Sequence, residues 1–73
     1  MTLKQFKSLK VGDKIKRNPR FSYIEFEEKT GLEPKVTYII QRKTINGYEI
    51  FYKSYYLMLV ARISWHQYFI KVK

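Results

Sequence analysis

A chain of 73 residues without a single cysteine must hold itself together by its side-chain core alone. Neither a disulfide nor a thiolate-bound metal is there to constrain it. A domain of this length buries only about 60% of the surface its unfolded form exposes, so little stability is spare. It makes a single domain, residues 1–73. The core has to come from large side chains. The chain has seven Tyr, five Phe and eight Ile but one alanine, Ala61. Alanine is the best helix former, whereas Tyr, Phe and Ile fit pleated surfaces. An all-β or mostly β fold is therefore predicted. The same Lys-, Ile- and Tyr-rich, Ala-poor usage is what AT-rich coding produces, as in a low-GC bacterium or its phage.

Fifteen Lys and Arg stand against six Asp and Glu, a net charge of +9. The charge is laid out in blocks: residues 1–20 carry +6, residues 21–34 carry −3 and residues 35–73 carry +6. With hydrophobic residues at 45%, the chain is no disordered basic tail, which would lack the apolar content to offset chain entropy. Residues 1–10 have no apolar stretch of the kind a secretory signal needs. The longest apolar run, Tyr55–Ala61, is far below the ~20 residues that span a bilayer. No membrane contact and a cytoplasmic location, in the host cell if phage-encoded, are expected.

Along the chain, Leu3, Phe6 and Leu9 recur every three residues behind Thr2, which can cap. This reads as one or two helical turns or as an ordered arm. Gly12-Asp13 marks a tight turn into a short strand, Lys14–Arg17, with Ile15 and Arg17 on one side and the Lys pair on the other. Asn18-Pro19-Arg20 is a turn signal. Phe21–Phe26 reads as a second strand, Glu27–Pro34 as a solvated loop and Val36–Lys43 as a third strand. Asn46-Gly47 predicts a type I′ hairpin, because both residues tolerate positive φ. That loop would pair Ile45 with Tyr48, Lys43 with Ile50 and Gln41 with Tyr52, and on the other face Thr44 with Glu49 and Arg42 with Phe51. The outer half of the hairpin would project into solvent, its cations beside its aromatics. Ser54 would cap a helical turn over Tyr55–Leu57. A last strand is predicted over Arg62–Val72, joined through Val60–Arg62 by a 3-10 turn, a bulge or a longer helix that takes in Trp65. The expected core is Ile15, Ile24, Val36, Tyr38, Ile40, Leu57, Leu59, Ile63 and Phe69.

Four to five short strands in so few residues suggest a small barrel, which closes on itself and leaves no edge to aggregate. The stretch Leu9-Lys10-Val11-Gly12-Asp13-Lys14-Ile15 resembles the L-x-V-G-D-x-I lead into the first strand of SH3-like barrels, KOW-type domains among them. The resemblance implies a small SH3-like barrel, to which the Leu3, Phe6 and Leu9 spacing adds a short N-terminal helical turn. KOW domains carry further glycines in the next loop, where this chain reads Asn18-Pro19-Arg20-Phe21.

The inventory for chemistry is poor. Asp13 is the only Asp and is explained by its turn; His66 is the only His. Glu25, Glu27 and Glu28 read as a solvated acidic loop. No phosphate-cradling glycine loop, nucleophile elbow or HExxH is present. Catalysis, cofactors and metals are not expected. Trp65 alternates with Ile63 and Phe69, which reads as core, with a stacking platform as the alternative.

The basic clusters carry the functional expectation. Lys14, Lys16, Arg17 and Arg20 flank one strand and its turn, and Arg42 and Lys43 precede the hairpin tip. Beside Tyr48, Phe51 and Tyr52, they make the mixture that single-stranded nucleic acid or RNA uses for phosphate contact and stacking. The expected function is non-enzymatic nucleic-acid binding, to DNA or RNA, with these six cations on phosphates. The alternative is a phage or prophage factor that docks on an acidic host protein.

Overall fold

A computed structural model of the chain describes residues 1–52 and 55–73, with the backbone alone at residues 55–57. Five antiparallel strands form one sheet: β1 (Lys14–Arg17), β2 (Tyr38–Thr44), β3 (Gly47–Tyr52), β4 (Tyr55–Arg62) and β5 (Phe69–Val72), in the order β4-β3-β2-β1-β5. Helix α1 (Leu3–Lys7) precedes β1, helix α2 (Tyr23–Thr30) joins β1 to β2, and a 3-10 helix (Ile63–Tyr68) joins β4 to β5. The fold is mostly β, as expected from composition. The sheet is open, with β4 and β5 at its two edges.

Local chemistry explains both α-helices. In α1 the Thr2 hydroxyl accepts from the Gln5 amide at 3.1 Å, and the Gln5 side chain accepts from the Thr2 amide at 2.9 Å. In α2 the Ser22 hydroxyl accepts from the Glu25 amide at 3.1 Å, with Glu25 reaching back to the Ser22 amide. These are two reciprocal capping boxes. Gly31, at φ 70, ends α2 in the left-handed conformation that glycine tolerates. The Thr30 hydroxyl donates to the Phe26 carbonyl at 2.7 Å and accepts from the Leu32 amide at 3.1 Å, which closes the last turn.

This helix corrects the strand expected over Phe21–Phe26 and most of the loop expected after it. Ile24, expected in the core, is 72% exposed, because helical rotation turns it away from Phe26, which is wholly buried. Ser22→Ala is accordingly expected to cost about 1 kcal/mol, near 4–8 °C in melting temperature, measured by thermal unfolding. A strand there would leave the transition unmoved.

The turn before β1 forms as expected. The Asp13 carboxylate accepts from the Lys10 amide at 2.9 Å, and the Lys71 ammonium lies 3.6 Å away. The hydrogen bond from the Lys10 amide, helped by the Lys71 ammonium, outweighs partial desolvation and holds the Asp13 carboxyl below the usual carboxylate range. The hairpin forms where Asn46-Gly47 marks it, but its loop starts one residue earlier and the pairing is two residues out of the expected register. Thr44 pairs with Gly47, Lys43 with Tyr48 and Arg42 with Glu49; the partners then shift at Gln41, and Ile40 pairs with Ile50. The loop is Ile45-Asn46, and Asn46 has negative φ, so the turn is not type I′.

A bulge of this kind adds a residue to one strand and bends it. Here it lets Ile40, Tyr48 and Ile50 all face inward, and Tyr48 is 1% exposed rather than at a solvated tip. Beyond Tyr52, the backbone over Tyr55–Leu57 is strand rather than helical turn. Ser54 lies outside the described residues, as does the side chain of Leu57. The last strand is shorter than expected: Ile63–Tyr68 is 3-10 helix and only Phe69–Val72 is strand.

The core lies between the sheet's inner face and the two α-helices. Phe6, Phe26 and Phe69 meet at its centre, with ring centroids 6.0 Å apart for Phe6–Phe69 and 5.4 Å for Phe26–Phe69. Ile15, Tyr38, Ile40 and Phe69 are buried as expected, while Val36, Leu59 and Ile63 pack at the margin. Two buried phenols are tied to backbone. Tyr48 donates to the Phe6 carbonyl at 2.6 Å, and Tyr38 donates to the Glu33 carbonyl at 2.9 Å. Burial pushes both hydroxyls up from the ordinary tyrosine range, so they serve as neutral donors.

Candidate nucleic-acid interface

Alternation along β1 separates its charges from the core. Ile15 points inward and is fully buried, while Lys14 and Lys16 are exposed on the outer face. Their cross-strand neighbours are Ile39 and Val72 for Lys14 and Ile70 for Lys16. Same-face residues on a strand lie about 6.6 Å apart. Among the described residues the ion pairs are two, Arg42–Glu49 and Lys71–Asp13. Lys14 and Lys16 thus carry uncompensated charge. Arg20 is exposed in the following turn and lines a hollow of about 600 Å³ with Asn18, Phe21 and Gln67.

The other three expected phosphate contacts are engaged elsewhere. Arg17 is half-buried; its Nη1 donates to the Phe21 carbonyl, and its guanidinium carbon lies 4.4 Å from the centre of the Tyr23 ring. It ties the end of β1 to the start of α2. Arg42 pairs with Glu49 at 2.6 Å across the hairpin. The Lys43 ammonium donates to the Lys7 carbonyl at 2.8 Å, satisfying an unpaired carbonyl at the end of α1. The structure therefore does not bring the six cations together as one free patch. Arg17→Ala is expected to cost about 1–3 kcal/mol, because it strands the Phe21 carbonyl and empties the space against Tyr23. Lys16→Ala should stay within about 0.5 kcal/mol. Urea unfolding of the two variants checks the contrast, and equal costs would return Arg17 to the surface.

The expected stacking residues are also placed differently. Tyr48 is in the core, and Tyr52 packs its ring 5.5 Å from Tyr38. Phe51 is half-buried on the outer face beside Ile39. Trp65 is half-buried, with the Arg62 guanidinium carbon 5.6 Å from its ring, and His66 Nδ1 lies 3.0 Å from the Met1 carbonyl oxygen. Glu25 is occupied in capping α2.

Sequence reasoning missed Tyr23 and Lys35. Tyr23 is the first residue of α2 and is 48% exposed. Besides Arg17, it has the Lys35 ammonium 5.5 Å from its ring centre. Both residues line a groove of about 290 Å³, together with Lys16 and Arg17. Pro19, Pro34, Val36 and Thr37 complete it, and none of the described lining residues is acidic. The signal that would have found it is the Ser22-x-x-Glu25 capping box. Once α2 is a helix, Tyr23 starts it directly after the turn that follows Arg17.

Comparison with known proteins finds no match to a family model, to a curated protein or to a solved structure.

Proposed function

We propose that this chain is a non-enzymatic basic module that binds nucleic acid through its phosphates. The observation that carries the reading is the pair Lys14 and Lys16. They lie side by side on the outer face of β1, exposed and without a carboxylate partner. The ammonium of Lys35 and the guanidinium of Arg20 extend the positive field beyond the end of the strand. A net charge of +9 steers a polyanion towards such a surface and releases its counterions on contact. The fold reading is a small barrel of SH3-like strand order, left open between β4 and β5. Its support is the order of the strands, in which β5 returns beside β1, together with the register shift at Gln41 that bends the hairpin.

Salt-dependent binding tests the function. Labelled single-stranded and duplex DNA and RNA should bind at low salt, with affinity falling steeply as salt rises. Lys14→Ala with Lys16→Ala should weaken all sequences about equally. It should also reduce the log–log salt slope by about 1.4 on single strands, at roughly 0.7 per lost phosphate contact. Absence of binding at low salt refutes the reading.

A second reading, docking of a phage or prophage factor on an acidic host protein, is favoured by one observation. Met58 and Val60 on β4 are 55% and 49% exposed, a small apolar area on a strand at the sheet edge. Nuclease-treated lysate would then yield a stoichiometric protein partner whose capture survives high salt.

A further inference from the structure

We infer that the groove between the end of β1 and residues 34–37 is a site for one unpaired nucleotide, with Tyr23 as its stacking platform. The inference rests on the nucleic-acid reading above and deepens it. Three features converge on this groove. Tyr23 presents an aromatic ring that is half exposed, whereas Tyr38 and Tyr48, among the described tyrosines, are buried with their hydroxyls bonded to backbone. The ring is already oriented, because the Arg17 guanidinium packs 4.4 Å from its centre and is itself fixed by the Phe21 carbonyl. A platform held in this way loses little entropy when a base arrives.

The second feature is charge. Lys16, Arg17 and Lys35 line the groove with no carboxylate among the described lining residues. The Lys35 contact with Tyr23, at 5.5 Å, is the looser of the two, and Lys35 is exposed. Its ammonium moves to a phosphate when a base occupies the ring. Lys16 stands between this groove and Lys14 on the outer face of β1, so the phosphates flanking the stacked base run on to the pair of lysines described above.

The third feature is an orphan donor. The Nε–H of Arg17 is buried and has no acceptor among the described residues. A buried donor left unpaired is costly and calls for a partner from outside. The groove is concave and about 290 Å³ in volume, bounded by Pro19, Pro34 and Val36. A base in a duplex is already stacked on both faces and has none free to lay on this ring; an unpaired base has. The site therefore selects single strands, without reading sequence.

The test is fluorescence anisotropy with three labelled probes at low salt: an oligothymidylate of about ten nucleotides, an abasic strand of the same length, and the matching duplex. The oligothymidylate should bind roughly five- to a hundredfold more tightly than the abasic strand, the range expected for loss of stacking on one aromatic ring. Tyr23→Ala should remove that advantage, while Tyr23→Phe keeps it. Equal binding of oligothymidylate and abasic strand by the native chain overturns the groove assignment and leaves the phosphate reading standing. So does a folded Tyr23→Ala variant that still prefers the oligothymidylate. Failure of all three probes to bind overturns both. The comparison of strands uses the native chain, so it does not depend on the folding of any variant.

Discussion

Gly47→Ala is expected to lower the melting temperature by roughly 8–24 °C, the equivalent of about 2–3 kcal/mol in a domain of this size. A Cβ built on Gly47 would lie 2.0 Å from the Ala61 carbonyl oxygen and 3.0 Å from both the Ala61 carbonyl carbon and the Arg62 Cα. All three are backbone atoms of β4, so no side chain can swing aside. The φ of 156° adds strain for any residue with a Cβ. Relief requires β3 and β4 to part at the pairs Gly47–Arg62 and Tyr48–Ala61, and Tyr48 is a core residue. Asn46→Ala should stay within about 0.5 kcal/mol, because Asn46 has negative φ and is exposed. Thermal unfolding of the pair separates two explanations of the same dipeptide. A type I′ turn would make Asn46→Ala costly as well, and that result would falsify the register described here.

The second large effect concerns the aromatic centre. Phe69→Ala should cost about 3–5 kcal/mol, the usual range for emptying a buried phenylalanine site. Against the roughly 4–11 kcal/mol expected for a chain of this length, that leaves a substantial unfolded population. Phe69 packs against both Phe6 and Phe26, so its removal loosens α1, α2 and β5 together. Phe26→Ala should cost a similar amount, while Ile24→Ala should stay within about 0.5 kcal/mol. The last two are two residues apart. On a strand they would share a face and cost alike; on a helix they point to nearly opposite sides. Chemical denaturation of both variants therefore measures the conformation of this segment directly.

That segment is also where the sequence was most open to misreading. Phe21, Tyr23, Ile24 and Phe26 all have strand propensity, yet propensity is a weak prior that tertiary context overrides. The opposing signals were present: Ser22 with Glu25 three residues on, then Gly31. Backbone capping at both ends, combined with burial of Phe26 against Phe69, outweighs the local preference. The candidate groove follows from that outcome, since Tyr23 stands beside Arg17 only when α2 is a helix.

By itself the sequence determined the mostly β character, through one alanine among seven Tyr and eight Ile. It also determined the turn at Gly12-Asp13, the location of the hairpin and the inward alternation of Ile15 between two lysines. Each is a local property, readable from propensity, turn chemistry or a period of two. Only the tertiary structure decided the hairpin register, because what fixes it is the approach of Ala61 on a third strand to Gly47. It alone decided which cations are free. Arg17 and Lys43 are held by the carbonyls of Phe21 and Lys7, and a backbone acceptor leaves no mark in the identity of the residue that carries it.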